Sequence, residues 1–334
     1  MAKTAVLGAG SWGTAFALVL ADAGNDVHMW GRRQEVCDTI NDKRENTEYL
    51  PGIEIPDAVE ASHDPVHVLQ ERDVVVLAVP SQQLRANLEE WAEYIPDDAI
   101  IVSLMKGIEL GTHKRMSEVI AELTGAGPDR IAVVSGPNLA KEIAQREPAA
   151  SVVACADVEV AKRLQQICHT ATFRPYTNTD VVGCELGGTT KNIIGLAVGV
   201  ATGLGYGDNT KASVITRGLA ETARLGNAMG ADPMTLYGLA GLGDLVATCS
   251  SPLSRNRTFG EKLGRGMSVE DVVRSTRQVA EGVKSCESVG ELATIHGVDM
   301  PIVDHVAALI RGDLAAGAMV ESLISRAAKP EIVG

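Results

Sequence analysis

A chain of 334 residues has room for two domains with hydrophobic cores of ordinary size. Hydrophobic residues make up 45% and charged residues 22%, which excludes wholesale disorder, collagen and coiled coil. With 30 Lys and Arg against 43 Asp and Glu, the formal charge of -13 sets up a field that repels polyanions, so no nucleic-acid partner is expected. A few convergent cations and backbone N–H groups still suit a small anionic ligand. Aromatics are only 3% while glycines number 34, so the cores must be built from Val, Leu, Ile and Ala, with many close backbone approaches.

The six cysteines (Cys37, Cys155, Cys168, Cys184, Cys249, Cys286) contain no C-x-x-C. They read as small core residues in a reducing compartment, and no metal site is expected. Met1-Ala2-Lys3-Thr4 runs directly into an apolar strand without a signal-peptide pattern, so a cytoplasmic location is expected. Between Lys191 and Asp208 lie 16 uncharged residues, about 24 Å of helix. That falls short of a bilayer core of about 30 Å, so the stretch reads as a buried helix and no transmembrane segment is expected.

In chain order, strands are predicted at Thr4 to Leu7, Val27 to Trp30, Val74 to Val79, Ile100 to Ser103, Ile131 to Val134 and Ser151 to Cys155, with helix-like segments between them. This alternation predicts an α/β fold with a Rossmann-type, doubly wound, mostly parallel sheet over residues 1–178. From about Thr179 the strand pattern gives way to Ala, Leu and Gly stretches of helical period, which predict an all-helical C-terminal domain over residues 179–334.

Gly8-Ala9-Gly10-Ser11-Trp12-Gly13 follows the first strand and opens a small-residue helix, the context in which G-x-G-x-x-G marks a dinucleotide site. Gly8 permits the tight turn, Gly10 the approach of the pyrophosphate, and Gly13 close helix–sheet packing. After Val27-His28-Met29-Trp30, where an NAD-selective site would place a carboxylate, stand Gly31-Arg32-Arg33. Two guanidiniums suit a 2'-phosphate, so NADPH is favoured over NADH, although Arg32 and Arg33 also read as an ordinary solvated pair. Three further strand ends converge on this edge: Val79-Pro80-Ser81, Ser103-Leu104-Met105-Lys106-Gly107, and Ser135-Gly136-Pro137-Asn138-Leu139-Ala140.

From Leu186 to Gly207 the only charge in 22 residues is Lys191. Positions 187, 191, 195, 199 and 203 read Gly, Lys, Gly, Gly, Gly, an i,i+4 row on one helix face. Each interior glycine costs about 1 kcal/mol relative to alanine, so the row implies close approach of a backbone or a ligand. A lysine on such a face has its pKa lowered by desolvation, which suits a general acid/base near neutral pH. Asp244 and Thr248 share a helix face downstream, with Asp244 either a partner for Lys191 or a helix N-cap. Ser254-Arg255-Asn256-Arg257 suits recognition of a phosphate.

Together these blocks resemble the bacterial NAD(P)-dependent sn-glycerol-3-phosphate dehydrogenases. The resemblance runs through Gly8 to Ala15, Lys106-Gly107, Ser135-Gly136-Pro137, Glu185-Leu186-Gly187-Gly188, Lys191-Asn192, Gly241-Leu242-Gly243-Asp244, Ser254-Arg255-Asn256 and Glu281-Gly282. It implies reversible reduction of dihydroxyacetone phosphate to sn-glycerol 3-phosphate by NAD(P)H, supplying phospholipid synthesis. It further implies a helical domain similar to that of 6-phosphogluconate dehydrogenases, and a homodimer. Carried over by resemblance, Lys191 is the proton acceptor. Ser11, Trp12, Arg32, Lys106, Ala140, Arg255, Val279 and Glu281 touch the cofactor. Lys106, Gly136, Asn138, Asp244, Ser254, Arg255 and Asn256 hold the substrate. On the resulting mechanism Asn192, Asp244 and Thr248 orient the polar end, and Arg255 binds the phosphate. Two departures stand out: Thr189-Thr190 where the family usually has Ala-Leu, and Asn138 where Ser or Thr is common. The competing readings are a ketopantoate or β-hydroxyacid type dehydrogenase and a non-catalytic NAD(P)-binding regulator.

Overall fold

The structure, a computed structural model, describes residues 1–275 and 280–325. Ten strands are formed among them: β1 (Lys3–Leu7), β2 (Asp26–Trp30), β3 (Glu45–Asn46), β4 (Leu50–Glu54), β5 (Val59–Ser62), β6 (Val74–Leu77), β7 (Ile100–Ser103), β8 (Ile131–Ser135), β9 (Ala149–Cys155) and β10 (Phe173–Asn178). Eight of them make one sheet in the order β10-β9-β8-β7-β6-β1-β2-β5, while β3 and β4 form a small hairpin beside it. All neighbours in the large sheet pair parallel except β8 and β9, so β9 and β10 run against the other six. The central strands β6, β7 and β8 are buried along their whole length. Their continuous apolar runs, rather than alternation, are what a sheet covered on both faces requires. Phe16, Leu20 and Phe173 belong to the apolar cluster on one face, and Leu84, Leu88 and Trp91 to that on the other.

Four strands lie outside the expected set: the hairpin strands β3 and β4, and β5 and β10 in the large sheet. β5 and β10 are the sheet's two edges. The edge position explains how β10 accommodates Pro175, because a residue without an N–H fits only where no further strand needs it.

β10 passes almost directly into a helix of 23 residues, Val181–Gly203, about 34 Å long. Asp180 caps it by accepting from the Gly183 N–H at 2.8 Å. Around this helix pack Asp208–Ala228, Arg255–Gly264, Glu281–Ile295 and Pro301–Arg311, giving a helical domain with its own core of Leu196, Leu225, Val289 and Val306. The glycine row is the seam. A Cβ at Gly199 or Gly203 would fall on the carbonyl oxygen of Arg257 or Glu261. From the facing helix, a Cβ at Gly260 or Gly264 would fall on that of Leu196 or Val200. The close approach implied by the sequence is therefore made by a second backbone.

No helix among the described residues is long and apolar enough to cross a membrane. All six cysteines are buried and unbridged.

Candidate active site

The loops that follow β1, β2, β6, β7 and β8 gather at the carboxyl edge of the parallel strands, where open α/β sheets bind ligands. The three fingerprint glycines serve different ends. Gly8 has φ +134, and a Cβ there would lie 2.5 Å from the Ala78 carbonyl oxygen. A Cβ on Gly13 would strike the Gly8 carbonyl. Gly10 has an ordinary φ of -80 and nothing within 4 Å of a Cβ position. Neither its backbone nor its neighbours demand glycine, so the open space fits the pyrophosphate of a dinucleotide.

Ser11 opens the helix Ser11–Asp22 and its hydroxyl donates to the Tyr49 carbonyl at 2.7 Å. Trp12 stacks edge-on to Phe16 at 5.6 Å, and its buried Nε1 has no hydrogen-bond partner among the described residues. After β2, Arg33 pairs with Glu48, whereas Arg32 is exposed and forms no ion pair among the described residues. Of the two guanidiniums, Arg32 is the one left for a 2'-phosphate. Ala140 begins a short helix, Ala140–Ala144, after the Gly136 turn. Val279 lies outside the described residues.

Opposite this edge, Lys191 and Lys106 both bond the carboxylate of Asp244, one to each oxygen. Asp244 is 1% exposed, and the two lysine side chains are 11% and 14% exposed. Lys191 comes from the long helix and Lys106 from the loop after β7. Asp244 begins the helix Asp244–Ser250, entered through a π-helical turn at Leu239–Gly243. That turn lies so close to the long helix that a Cβ on Gly187 would be 2.5 Å from the Ala240 carbonyl oxygen. Asp244 therefore serves the lysines and not the helix end. Burial pushes the Lys191 ammonium down to about 7, with Asp244 opposing the shift and Lys106 adding to it. A lysine in that range exchanges its proton near neutral pH.

Surrounding groups fix this set. Asn192 and Asn256 join through a 2.9 Å amide contact, and the Asn256 oxygen also accepts from the Gly282 N–H at 2.9 Å. Thr248 is buried against Gly195, where a Cβ would lie 2.8 Å from its methyl group. Ser254 caps the helix Arg255–Gly264 by accepting from the Arg257 N–H at 3.3 Å, and this sets Arg255 at the helix start. Lys106 also donates to the Gly136 carbonyl at 3.2 Å. Asn138 donates to Ser151, whose hydroxyl donates in turn to the Ser135 carbonyl, so the serine can only accept from the amide. The Asn138 carbonyl oxygen is thereby turned away from Ser151, and it is buried with no partner among the described residues.

One contact had no direct sequence signal. Ser81 donates to Glu281 at 2.9 Å, a link between residues 200 apart. Burial raises the Glu281 carboxyl above its ordinary value, with Ser81 and Arg255 opposing. The triplet Val79-Pro80-Ser81 marked the loop, Ser81 included, but not its bond to Glu281.

His28, Glu60 and His67 cluster near the β5 edge. Arg72 donates to His28 Nδ1 at 2.7 Å, and since a guanidinium only donates, the ring proton sits on Nε2. A nitrogen so protonated is not a metal ligand.

A dinucleotide turn at the sheet edge, faced by a buried lysine with a proton to exchange, defines the class: a Rossmann oxidoreductase with an appended helical domain. Comparison with known proteins narrows it. The model of the NAD-dependent glycerol-3-phosphate dehydrogenase N-terminus matches residues 3–161, and that of the C-terminus matches residues 180–321. The chain is 64% identical over 329 residues to the glycerol-3-phosphate dehydrogenase [NAD(P)+] of Streptomyces griseus, covering 98% of each chain. It is 59% identical over 335 residues to the Thermobifida fusca protein of the same name, covering 100% of both. The crystal structure of glycerol-3-phosphate dehydrogenase from Coxiella burnetii superposes with a TM-score of 0.93 at 37% identity, covering 97% of this chain and 99% of that one. The chain belongs to the NAD-dependent glycerol-3-phosphate dehydrogenase family.

Proposed function

We propose that this protein reversibly reduces dihydroxyacetone phosphate to sn-glycerol 3-phosphate, with Lys191 as the general acid/base. The observation that carries the reading is the buried pairing of Lys191 with Asp244 beside Lys106. NAD(P)H, when bound, supplies the hydride. Gly8, Gly10, Ser11, Trp12 and Gly13 would hold its pyrophosphate end, and Arg32 a 2'-phosphate. In reduction the Lys191 ammonium gives its proton to the oxygen forming at C2; in oxidation the neutral amine takes the hydroxyl proton. Asp244 holds Lys191 in place and, with Asn192 and Thr248, would orient the polar end of the substrate, while Arg255 takes the phosphate. The division of work falls between residues 1–178, which bind the dinucleotide, and 179–334, which carry the substrate site. The protein would act in the cytoplasm as a homodimer, and its product would feed phospholipid synthesis. Full-length identity to named glycerol-3-phosphate dehydrogenases supports this reading over a ketopantoate-type reductase.

Turnover of NADPH with dihydroxyacetone phosphate, followed by absorbance, is the direct test. General acid–base help is worth about 10² to 10⁴ in rate. Lys191→Met is expected to lose at least that in kcat while binding NADPH normally, and a variant within tenfold of the parent sinks the assignment. With the Lys191 pKa at about 7, reduction, which needs the ammonium, slows as pH rises through 7, and oxidation speeds up over the same range. Profiles flat across pH 6 to 8, or sloping the other way, count against it.

A further inference from the structure

We propose that Glu185 is a positioning residue: it docks the loop bearing Lys106 onto the helix bearing Lys191, and so holds both lysines on one carboxylate. Glu185 stands six residues before Lys191 on the long helix. Its side chain is 3% exposed. One oxygen accepts from Arg115 Nη1 at 2.7 Å and from the Ser117 hydroxyl at 2.6 Å, and the other accepts from the Ser117 N–H at 2.8 Å.

Arg115 is in turn the far end of the Lys106 loop. It pairs with Ile108 across an isolated antiparallel bridge, and the Glu109 N–H donates to the Lys114 carbonyl at 2.9 Å, so residues 108–115 close into one unit. Lys106 lies two residues before that closure. Its stem runs over the long helix at Gly188, where a Cβ would sit 3.4 Å from the Lys106 Cγ and Cδ. Glu185, Gly188 and Lys191 thus follow one another along the helix at three-residue steps. The first anchors the loop, the second lies beside the lysine's stem, and the third meets its head group across Asp244.

The same loop is tied to the sheet domain by Gln82, which donates to the Ile108 carbonyl at 2.8 Å, and by Arg85, which holds Glu109 at 2.9 Å. Toward the helical domain it has a second tie, His113 to Glu291 at 2.7 Å, but Glu291 is half exposed and such pairs hold weakly. The Glu185 pair is the buried one. Burying an ion pair gains little stability over apolar packing, and fixing geometry is the better-attested use of one. Burial raises the Glu185 carboxyl above its ordinary value, with Arg115 and Ser117 opposing.

The inference rests on the reading of Lys191 as the acid/base, and the two are separable. The titratable groups facing Lys191 are Asp244, Lys106 and the Cys249 thiol, which burial pushes up to about 12 and keeps neutral. If Glu185→Gln frees the loop, the Lys106 charge moves off and the midpoint of glycerol phosphate oxidation rises above 7. Simple loss of a nearby carboxylate charge would move it the other way. The expected result is therefore an upward shift of about half a pH unit or more and a higher KM for dihydroxyacetone phosphate. In a Lys106→Met background the same substitution is expected to shift nothing further. Ser117→Ala, which spares the ion pair, is expected to give a smaller shift in the same direction if Glu185→Gln folds poorly. A downward or absent shift in both folded variants overturns the role of Glu185. A fully active Lys191→Met instead overturns the reading beneath it.

Discussion

Replacing Gly10 by alanine is expected to separate ligand binding from folding. At φ -80 any residue is comfortable, and a methyl group there would meet no protein atom within 4 Å. As the N-cap of the first helix, alanine is worse than glycine by up to about 1 kcal/mol. The loss of glycine's freedom in the unfolded chain returns about 0.4–1 kcal/mol, so stability should barely move. Cofactor binding should not survive so well. A hydrogen bond from an N–H to a charged phosphate is worth about 1.5–3 kcal/mol, and a methyl group that holds the pyrophosphate off would forfeit at least one. At 1.4 kcal/mol per decade, the Kd for NADPH rises about 10- to 150-fold. Gly13→Ala is the contrast, since its methyl group must displace the Gly8 carbonyl. Overpacking of that kind costs about 1–3 kcal/mol, which lowers the melting temperature by several degrees. The assays are a thermal melt and a fluorescence titration with NADPH on both variants. If Gly10→Ala melts as low as Gly13→Ala, or binds NADPH within about twofold of the parent, the distinction drawn between these glycines is wrong.

Other outcomes follow from the same geometry. Arg32→Ala should weaken NADPH binding about tenfold or more and leave NADH nearly unaffected, because Arg33 is already taken by Glu48; an unaltered preference between the two refutes the role of Arg32. Arg255→Ala should raise KM for dihydroxyacetone phosphate about tenfold or more with a smaller change in kcat, and an unchanged KM removes it from the phosphate site. Gly199→Leu should destabilise the protein by about 3 kcal/mol or more, since the side chain would have to enter the Arg257 carbonyl and the Glu261 N–H. A variant as stable and as active as the parent refutes the close-packed seam.

The central strands were legible because full burial writes itself as an apolar run: Val74 to Leu77 and Ile100 to Ser103 need no context. The edges were not. β5 is four residues of half-buried alternation and β10 carries Arg174, Pro175 and Tyr176, so each is held by its neighbour more than by its own composition. Strand direction was equally silent, for nothing in Ala149–Cys155 announces that it runs against β8. At the site, Lys191 stood out by being the one charge on a crowded face, and Asp244 by its apolar setting. The geometry by which Lys106 reaches Asp244 depends on how a loop 138 residues away in sequence folds back. Local pattern does not encode such a closure; the pairing of Arg115 with Glu185 is the same kind of fact.

The six buried thiols have a practical meaning of their own. Burial raises the pKa of every one of them: Cys286 to about 11, Cys168 and Cys249 to about 12, with Cys37, Cys155 and Cys184 also shifted upward. Thiolate is the reactive form, so the native chain offers an alkylating reagent almost nothing to attack. Cys37, Cys155 and Cys168 sit in the sheet domain, while Cys184, Cys249 and Cys286 sit among the helices. Mass-resolved labelling at each position therefore acts as an internal clock for opening, one set of hands for each domain, read without attaching any probe.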